Sequence, residues 1–336
     1  MDHVLNTLPR IELAHLPTPL ERLPRLSAEL GGPEIWIKRD DCTGLGLGGN
    51  KTRKLEFLLG AARAEGVDTV ITVGGVQSNH ARQTAAACAR LGMRCQLILP
   101  KVVARRGPDY EQNGNVLLDH MFGAEVFIVA DEAEVPVVLS ELRQQAERDN
   151  RTIVFHPPGG STAVGTLGYV AAVFELKQQM QRDNLGFDQV ILAASTGGTL
   201  AGLAAGASLA AWETDLHGIC VAGDAAKLNA DVCRLIDDLN GIIPLPRDVT
   251  DRVQFDDTFL GDGYGLPSAP ALEAIVLCSR LEGLLLDPVY TAKAMAALIS
   301  MSRQGEAGAG RVLFWHTGGV PSLFAYKDDL LAGSAA

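Results

Sequence analysis

Short apolar runs alternate with amphipathic stretches along most of the chain. Residues 68–73 and 190–194 are dominated by β-branched or small apolar residues, which is typical of strands buried on both faces. The stretch 55–62 instead places apolar residues at helical spacing. This alternation of strand and helix predicts parallel sheets with right-handed crossovers, and therefore a doubly wound α/β fold.

The same pattern divides the whole chain into elements. It predicts strands at 34–38, 68–73, 95–99, 125–129, 152–155, 190–194, 219–222 and 312–315. It predicts helices after residue 51 and at 81–91, 116–122, 132–148, 162–181, 200–211, 267–281 and 290–303. The region 224–265 is less regular. Ligands of such sheets bind beyond the carboxyl ends of the strands, so the loops that follow the strands are the candidate sites.

The length of 336 residues suits two domains. The long helix at 162–181 marks the return of the chain to the first of them. We therefore predict a large domain made of residues 1–51 and 162–336, and a small α/β domain made of residues 52–161.

Composition narrows the class of protein. The net charge of −11 leaves no basic excess to meet nucleic-acid phosphates. The six cysteines form no C-x-x-C pair, and no H-x-H or H-E-x-x-H motif is present, so we expect no metal site. The N-terminus lacks the features of a signal peptide, and no apolar run has membrane-spanning length. These features predict a cytoplasmic protein without a nucleic-acid or membrane partner.

A glycine-rich turn places a lysine at the start of a helix. Glycines 48–49 permit a sharp turn, Asn50 can cap the helix, and Lys51 follows directly. Taken alone, the motif favours a solvated surface lysine. The alternative is an amine whose pKa is lowered by Arg53, Lys54 and the helix end, which would prepare it to form a Schiff base.

A second glycine-rich turn lies between a buried strand and a helix. Its free N–H groups and the helix dipole could bind a phosphate, although a simple tight turn remains the alternative. The turn contains no G-K-[ST] sequence, so it is not a Walker loop. It consists of Ser195, Thr196, Gly197, Gly198 and Thr199.

An equivalent turn in the first half of the chain could bind another anion, such as a carboxylate, on its backbone amides. Helix capping by Ser78 or Asn79 is the commoner explanation for such a turn. The turn consists of Gln77, Ser78, Asn79 and His80.

Three further residues belong to the candidate set. Tyr264 lies between two glycines, Tyr290 lies just before a helix, and Thr317 follows the last strand. Either tyrosine could instead be a core residue with a satisfied hydroxyl. Together with Lys51, a phosphate site and a second anion site form the set that pyridoxal phosphate (PLP) chemistry requires.

A set of motifs spread over nearly the whole chain carries a specific resemblance. The chain resembles the D-cysteine desulfhydrase and 1-aminocyclopropane-1-carboxylate (ACC) deaminase family of PLP enzymes. That family includes L-cysteate sulfo-lyase and has the tryptophan-synthase-β-like fold (fold type II). The motifs are Pro17–Glu21, Ile37–Asp41, Gly48–Glu56, Gln77–His80, Gly263–Gly265, Leu286–Tyr290 and His316–Gly319.

The resemblance implies a role for each cofactor-binding residue. Lys51 would hold PLP covalently and move the Cα proton of the substrate. Asn79 would donate to the 3′-oxygen of the ring, and Thr317 would be the partner of the pyridine nitrogen. The loop 195–199 would bind the phosphate.

It also implies the substrate side. Ser78 and the neighbouring amides of 77–80 would bind the carboxylate of a small amino acid, and Tyr264 and Tyr290 would line the substrate side. By resemblance, Lys51, Ser78 and the two tyrosines are catalytic. We also expect a homodimer, because the relatives form one.

The branches of the family differ at two positions. By resemblance, an ACC deaminase has a glutamate after the tyrosine of D-P-V-Y and a leucine where Thr317 stands. Here Thr291 follows Tyr290. Both differences favour α,β-elimination of a good leaving group, with D-cysteine giving pyruvate, sulfide and ammonia.

Several alternatives stay open at this point. L-cysteate elimination, which releases sulfite, is the nearest, and ACC deamination is the next. A PLP-binding protein without turnover and a structural α/β protein lie outside catalysis.

Overall fold

A computed structural model describes Leu5, residues 7–246 and residues 249–334 of the chain. Its strands are β1 (Leu20–Arg22), β2 (Glu34–Arg39), β3 (Thr69–Val73), β4 (Arg94–Pro100), β5 (Glu125–Val129), β6 (Ile153–His156), β7 (Gln189–Ala194), β8 (Asp215–Cys220), β9 (Val253–Asp256) and β10 (Arg311–His316). They form two sheets, in the orders β1-β2-β10-β7-β8-β9 and β5-β4-β3-β6. All pairings are parallel except that of β1 with β2.

The helices occupy the connections between strands, as the alternating pattern predicts. They are α1 (Pro24–Leu30), α2 (Lys51–Ala64), α3 (Asn79–Leu91), α4 (Pro108–Glu111), α5 (Asn115–Met121), α6 (Val135–Arg148), α7 (Ala163–Asp183), α8 (Gly198–Leu209), α9 (Ala225–Asn240), α10 (Ala269–Glu282), α11 (Thr291–Gln304) and α12 (Lys327–Ser334). The α/β fold class is therefore confirmed. In the described residues, no helix is both long enough and apolar enough to cross a membrane.

Three parts of the predicted element pattern are wrong. The strand expected at 219–222 is β8, which runs over Asp215–Cys220. The region 224–265, expected to be irregular, contains the sixteen-residue helix α9 and the strand β9. The buried side chains of α9 recur at helical spacing and could have shown it: Leu228, Val232, Leu235, Ile236 and Leu239. The single helix expected at 132–148 is a 3₁₀ turn at Glu132–Glu134 followed by α6.

Alternate residues of the large sheet face two separate cores. Val190 and Leu192 of β7 belong to one apolar cluster, and Ile191 belongs to the other. Both faces are therefore covered, which explains why the strand reads as a continuous apolar run. The smaller sheet likewise has clusters on both sides, around Val70 and Ile71.

The two sheets are built from different parts of the chain. The small sheet is built from strands between residues 69 and 156, and the large sheet is built from the strands on either side of them. The boundaries at residues 51 and 162 stay predictions.

Candidate active site

A cavity of about 580 Å³ lies beyond the carboxyl ends of β3, β7 and β10. Its wall contains most of the residues selected from the sequence. These are Lys51, Ser78, Asn79, His80, Ser195, Thr196, Gly197, Gly198, Thr199, Tyr264, Tyr290 and Thr317. Thus residues far apart in sequence meet in one place.

Lys51 is the first residue of α2 and lines the cavity. Burial lowers the pKa of its amine from 10.5 to about 8. The sequence-based explanation, that Arg53, Lys54 and the helix end lower this pKa, is wrong, because the cause is burial. The Arg53 guanidinium instead bonds to Asp40 and Glu175. The cavity position also excludes the alternative of an ordinary surface lysine.

Asn50 is not the helix cap that the sequence predicts. Its side chain makes no capping hydrogen bond to α2. Instead its Nδ2 donates to Thr199 Oγ1 at 3.0 Å, and its backbone N donates to Thr317 O at 2.9 Å. The turn that carries Lys51 is therefore bonded to two other loops of the site.

The glycine-rich turn after β7 opens helix α8 toward the cavity. Gly197 has a φ of 76°, a conformation that favours glycine, and α8 begins at Gly198. A Cβ at Gly198 would lie 2.6 Å from Ser161 Oγ and 2.7 Å from Lys54 Nζ. The absence of a side chain at Gly198 therefore lets Ser161 and Lys54 approach the first turn of α8, whose free amides could bind an anion.

Lys54 is a functional candidate that the sequence analysis did not select. It lines the cavity, and its Nζ donates to Gly159 O at 3.1 Å and to Ser161 Oγ at 3.2 Å. Burial, and secondarily the charge of Lys51, hold its pKa well below the ordinary value. The sequence indicates this position, because a residue three places after Lys51 on the same helix lies on the same face.

Asn79 points its amide group in a defined direction. Its Oδ1 accepts hydrogen bonds from Asn115 Nδ2 at 3.0 Å and from Arg82 Nη2 at 3.3 Å. With the oxygen used in this way, the amide NH₂ is the end available to the cavity. Arg82 also donates to Gly48 O at 2.7 Å, which connects Asn79 to the turn before Lys51.

Ser78 serves as the N-cap of α3 and also lines the cavity. Its Oγ accepts a hydrogen bond from Ala81 N at 3.1 Å. A Cβ at Gly74 would lie 2.3 Å from this oxygen, so the close approach of the turn requires a glycine. Helix capping and anion binding, the two explanations given for this turn, are therefore compatible.

The Gln77 side chain lies outside the cavity wall. This position corrects the expectation that the side chain contacts the substrate. Gln77 is not among the residues that line the cavity. Its Nε2 donates to Tyr110 O at 2.6 Å and to Asn113 O at 2.9 Å, and its Oε1 accepts from Asn115 N at 2.9 Å. Gln77 thus holds the segment before α5, a contact that local sequence does not reveal.

His80 lines the cavity as a buried, neutral ring. It is 2% exposed, and neither ring nitrogen has a hydrogen-bond partner among the described residues. Burial, followed by the nearby charges of Lys51, His156 and Lys54, holds its pKa well below the ordinary value of 6.5.

Tyr264 and Tyr290 form a pair that lines the cavity. Their hydroxyl oxygens are 2.5 Å apart, and their rings meet edge to face with centroids 6.0 Å apart. Burial raises the pKa of Tyr264 and of Tyr290. Asp287 fixes Tyr290, because its Oδ2 accepts hydrogen bonds from Val289 N and Tyr290 N, each at 2.9 Å. Both hydroxyls therefore hold their protons at neutral pH.

Thr291 and Thr317, the two positions at which ACC deaminases are expected to differ, have different surroundings. Thr317 lines the cavity. Thr291 is fully buried, is not among the lining residues, and donates its hydroxyl to Asp287 Oδ1 at 2.7 Å. Position 291 therefore contributes no carboxylate to the cavity.

A buried ion network lies under the first turn of α2. Arg53 donates through Nε to Asp40 Oδ2 and through Nη1 to Glu175 Oε2, both at 2.9 Å. Tyr169 and Trp315 also donate to Asp40 Oδ2, at 2.5 and 2.9 Å. Burial alone would raise the pKa of Asp40, but Arg53, the charge of Lys38 and the hydrogen bond from Tyr169 lower it to about 2. The network joins the helix of Lys51 to the large sheet and to α7.

These residues fit PLP by their own geometry. The free amides at the start of α8, with Lys54 beside them, suit a phosphate. A buried amine with a lowered pKa suits covalent attachment at Lys51.

Comparison with known proteins agrees with that fit. The family model described as "Pyridoxal-phosphate dependent enzyme" matches residues 11–318. The chain belongs to the pyridoxal-phosphate dependent enzyme family. As a member of this family it depends on PLP.

Relatives of this PLP-dependent enzyme match it along nearly its whole length. A D-cysteine desulfhydrase from Salmonella newport (strain SL254) is 42% identical over 98% of this chain and 99% of its own. The protein of that name from Salmonella typhi matches equally well. A crystal structure of an "ACC deaminase homologue" is 38% identical, with a TM-score of 0.89 and 98% of both chains covered. Threonine deaminase isoform 2 from Solanum lycopersicum, at 18% identity and a TM-score of 0.66, shares the fold.

Proposed function

We propose that this PLP-dependent enzyme catalyses α,β-elimination of D-cysteine to pyruvate, sulfide and ammonia. The supporting observation is that Lys51, Ser78 and the tyrosine pair line one cavity in a chain 42% identical to D-cysteine desulfhydrase. The residue roles below belong to the proposal.

The cofactor is held at both of its ends. Lys51 would attach it covalently, and the loop 195–199 would bind its phosphate together with Lys54. Asn79 would donate its NH₂ to the 3′-oxygen of the ring, since the Asn79 oxygen is already used by Arg82 and Asn115. When bound, PLP supplies an electron sink for the negative charge that develops at the substrate Cα.

The substrate carboxylate is oriented at the start of α3. Ser78, Asn79 and His80 line the cavity at a helix N-terminus, which favours an anion. Fixing the carboxylate directs the Cα–H bond toward Lys51. The contribution of Gln77 to this site is restricted to its backbone, because its side chain bonds to the segment before α5.

Two proton transfers complete the reaction. The Lys51 amine, released when substrate binds, removes the Cα proton. The tyrosine pair gives a proton to the sulfur, which leaves with the electron pair of the broken Cβ–S bond as hydrogen sulfide. The remaining three-carbon enamine takes up water and loses ammonia, giving pyruvate.

The environment of Thr291 is the reason to prefer elimination over opening of the ACC ring. Opening a cyclopropane releases no stable leaving group, so it requires a protonated pyridine nitrogen held by a carboxylate. Here position 291 is a threonine that bonds to Asp287. Thr317 then serves as the uncharged partner of that nitrogen.

The test is product analysis with purified, PLP-loaded protein. We expect pyruvate and sulfide in equal amounts from D-cysteine, and neither from the Lys51→Ala variant. Pyruvate with sulfite from L-cysteate alone would move the assignment to the sulfo-lyase. Ammonia with 2-oxobutyrate from ACC would move it to the deaminase. Failure to form a keto acid from any of the three would overturn the proposed catalysis.

The assembly and the location of the protein are also part of the proposal. We expect a homodimer in the cytoplasm. Light scattering of the purified protein measures its mass against the monomer mass of 35.6 kDa, and a value near one monomer would contradict the dimer.

A further inference from the structure

Tyr264 lies in a loop that its own backbone holds weakly. The loop joins β9 to α10. Its described backbone hydrogen bonds stay inside it, with Leu260 N donating to Asp257 O at 3.1 Å and Leu266 N to Gly263 O at 3.3 Å. The residues on either side of the tyrosine are glycines with φ values of 132° and 74°, so the turn has little intrinsic stiffness. Something outside the loop must fix the hydroxyl of Tyr264.

Two side chains from other elements bond to the carbonyls of this turn. Lys293 Nζ, from α11, donates to Leu260 O at 2.7 Å and to Gly263 O at 2.8 Å. On the other side, the hydroxyl of Tyr326 donates to Gly265 O at 2.7 Å. The peptide group before Tyr264 and the peptide group after Gly265 are therefore each held by a buried donor.

The amine of Lys293 is buried at a cost in free energy. Its side chain is 0% exposed, and burial lowers its pKa to about 8 against the opposing charges of Asp287 and Asp262. Burying an amine costs free energy that an apolar side chain of similar length would not cost. The hydrogen bonds of its Nζ go to the loop, and Lys293 is not among the residues that line the cavity.

We propose that Lys293 is a positioning residue that fixes the 260–265 turn and thereby holds the Tyr264 hydroxyl against Tyr290. The start of α11 then sets both members of the tyrosine pair. Asp287 fixes Tyr290 through its backbone N, and Lys293 fixes Tyr264 through the carbonyl before it. Lys293 makes no contact with substrate. This inference rests on the proposed function only in assigning the pair to the substrate side.

A double-mutant cycle with Tyr264→Phe tests whether Lys293 acts through that hydroxyl. Lys293→Met keeps the length of the side chain and removes the donors. We expect it to lower kcat/KM for D-cysteine about 10- to 100-fold, because small displacements of catalytic groups have effects of that size. In the Tyr264→Phe background the same change should alter kcat/KM by no more than about twofold. Independent, multiplying effects in the double variant would overturn the proposal.

Three further variants make the cycle interpretable. Lys293→Arg keeps two donors and should recover part of the lost kcat/KM. Lys293→Gln has a polar head that is too short to reach the carbonyls. It replaces the Met variant if that protein does not fold. Lys177→Met, on the distant helix α7, is the matched control for loss of a lysine and should leave kcat/KM unchanged.

Amide hydrogen exchange supplies a readout that does not depend on turnover. In the PLP-loaded protein, Lys293→Met should speed exchange in peptides covering residues 258–266 and leave those of α11 and β9 unchanged. Unchanged exchange in the loop would overturn the proposal. If the wild-type protein eliminated nothing from any substrate, the proposed function would fail, while this measurement would still decide whether Lys293 holds the turn.

Discussion

Asn50 donates a hydrogen bond of 3.0 Å to Thr199, which lies 149 residues further along the chain. This bond joins the turn that carries Lys51 to the loop proposed to bind the cofactor phosphate. It fixes the distance between the two attachment points, so that binding the cofactor does not require the two loops to be ordered separately.

Removing that bond should weaken the binding of PLP. We expect Asn50→Ala to raise the dissociation constant of PLP up to about tenfold, since one such hydrogen bond contributes about 1 kcal/mol. Titration of the apoprotein by absorbance measures this change. Asn229→Ala, at an exposed position on α9, is the matched control. Equal affinities for the Asn50 variant and the wild type would show that the bond does not organise the site.

Lys51 and Lys54 lie one helical turn apart, and we expect their substitution to affect PLP binding in different ways. Lys51→Ala should abolish the absorption band of the attached cofactor, because no other amine takes its place. Lys54→Met should keep that band but raise the dissociation constant of PLP by about one to two orders of magnitude, since it removes a charged donor to phosphate. An intact band in the Lys51 variant would refute its assignment, and an unchanged affinity in the Lys54 variant would refute the phosphate contact.

The order of strands and helices could be predicted from sequence because it depends on local patterns. The apolar run of β7 and the turn that follows it are visible without tertiary information. Parallel strands bring such turns to one edge of a sheet, so the candidate residues could also be expected to meet. Helix α9 could likewise have been predicted, because its buried residues recur at helical spacing.

The parts that could not be predicted depend on contacts between distant residues. The Gln77 side chain is directed by carbonyls more than thirty residues away. Arg53 does not lower the pKa of Lys51, because its guanidinium is paired with Asp40 and Glu175. The charge of a neighbour in sequence is therefore a poor guide to its effect when its partners are unknown.

The low pKa of the Lys51 amine predicts how the apoprotein takes up PLP. Only the neutral amine attacks an aldehyde, and burial lowers the Lys51 pKa from 10.5 to about 8. The rate of attachment should therefore rise with pH and level off above about pH 8. The matched control is free Nα-acetyl-lysine, whose rate should keep rising toward pH 10. A profile for the protein that follows the free amine would contradict the burial of Lys51.

The tyrosine pair should matter in proportion to how poor the leaving group is. Tyr290→Phe removes a hydroxyl 2.5 Å from its partner and with it the proposed proton donor. We expect kcat for D-cysteine to fall about 10²- to 10⁴-fold, the usual range for loss of general acid catalysis. β-Chloro-D-alanine loses chloride without protonation, so its kcat should fall far less. Equal losses with both substrates would exclude an acid role and leave only substrate binding.

Asp40 should control the stability of the protein and not only the site. Asp40→Asn leaves Arg53 partly unpaired in a fully buried network, and we expect it to lower the free energy of unfolding by about 3–5 kcal/mol. The pKa of Asp40 is lowered from 3.8 to about 2, so its contribution is complete above about pH 4. It should be lost as pH falls through about 2, and the difference between variant and wild type should shrink over that range.

Urea unfolding at several pH values measures this difference in the free energy of unfolding. Asp238→Asn, in an exposed pair on α9, is the control and should change little. A difference between the Asp40 variant and the wild type that stays constant down to pH 2 would show that the ionised form of Asp40 is not what stabilises the fold.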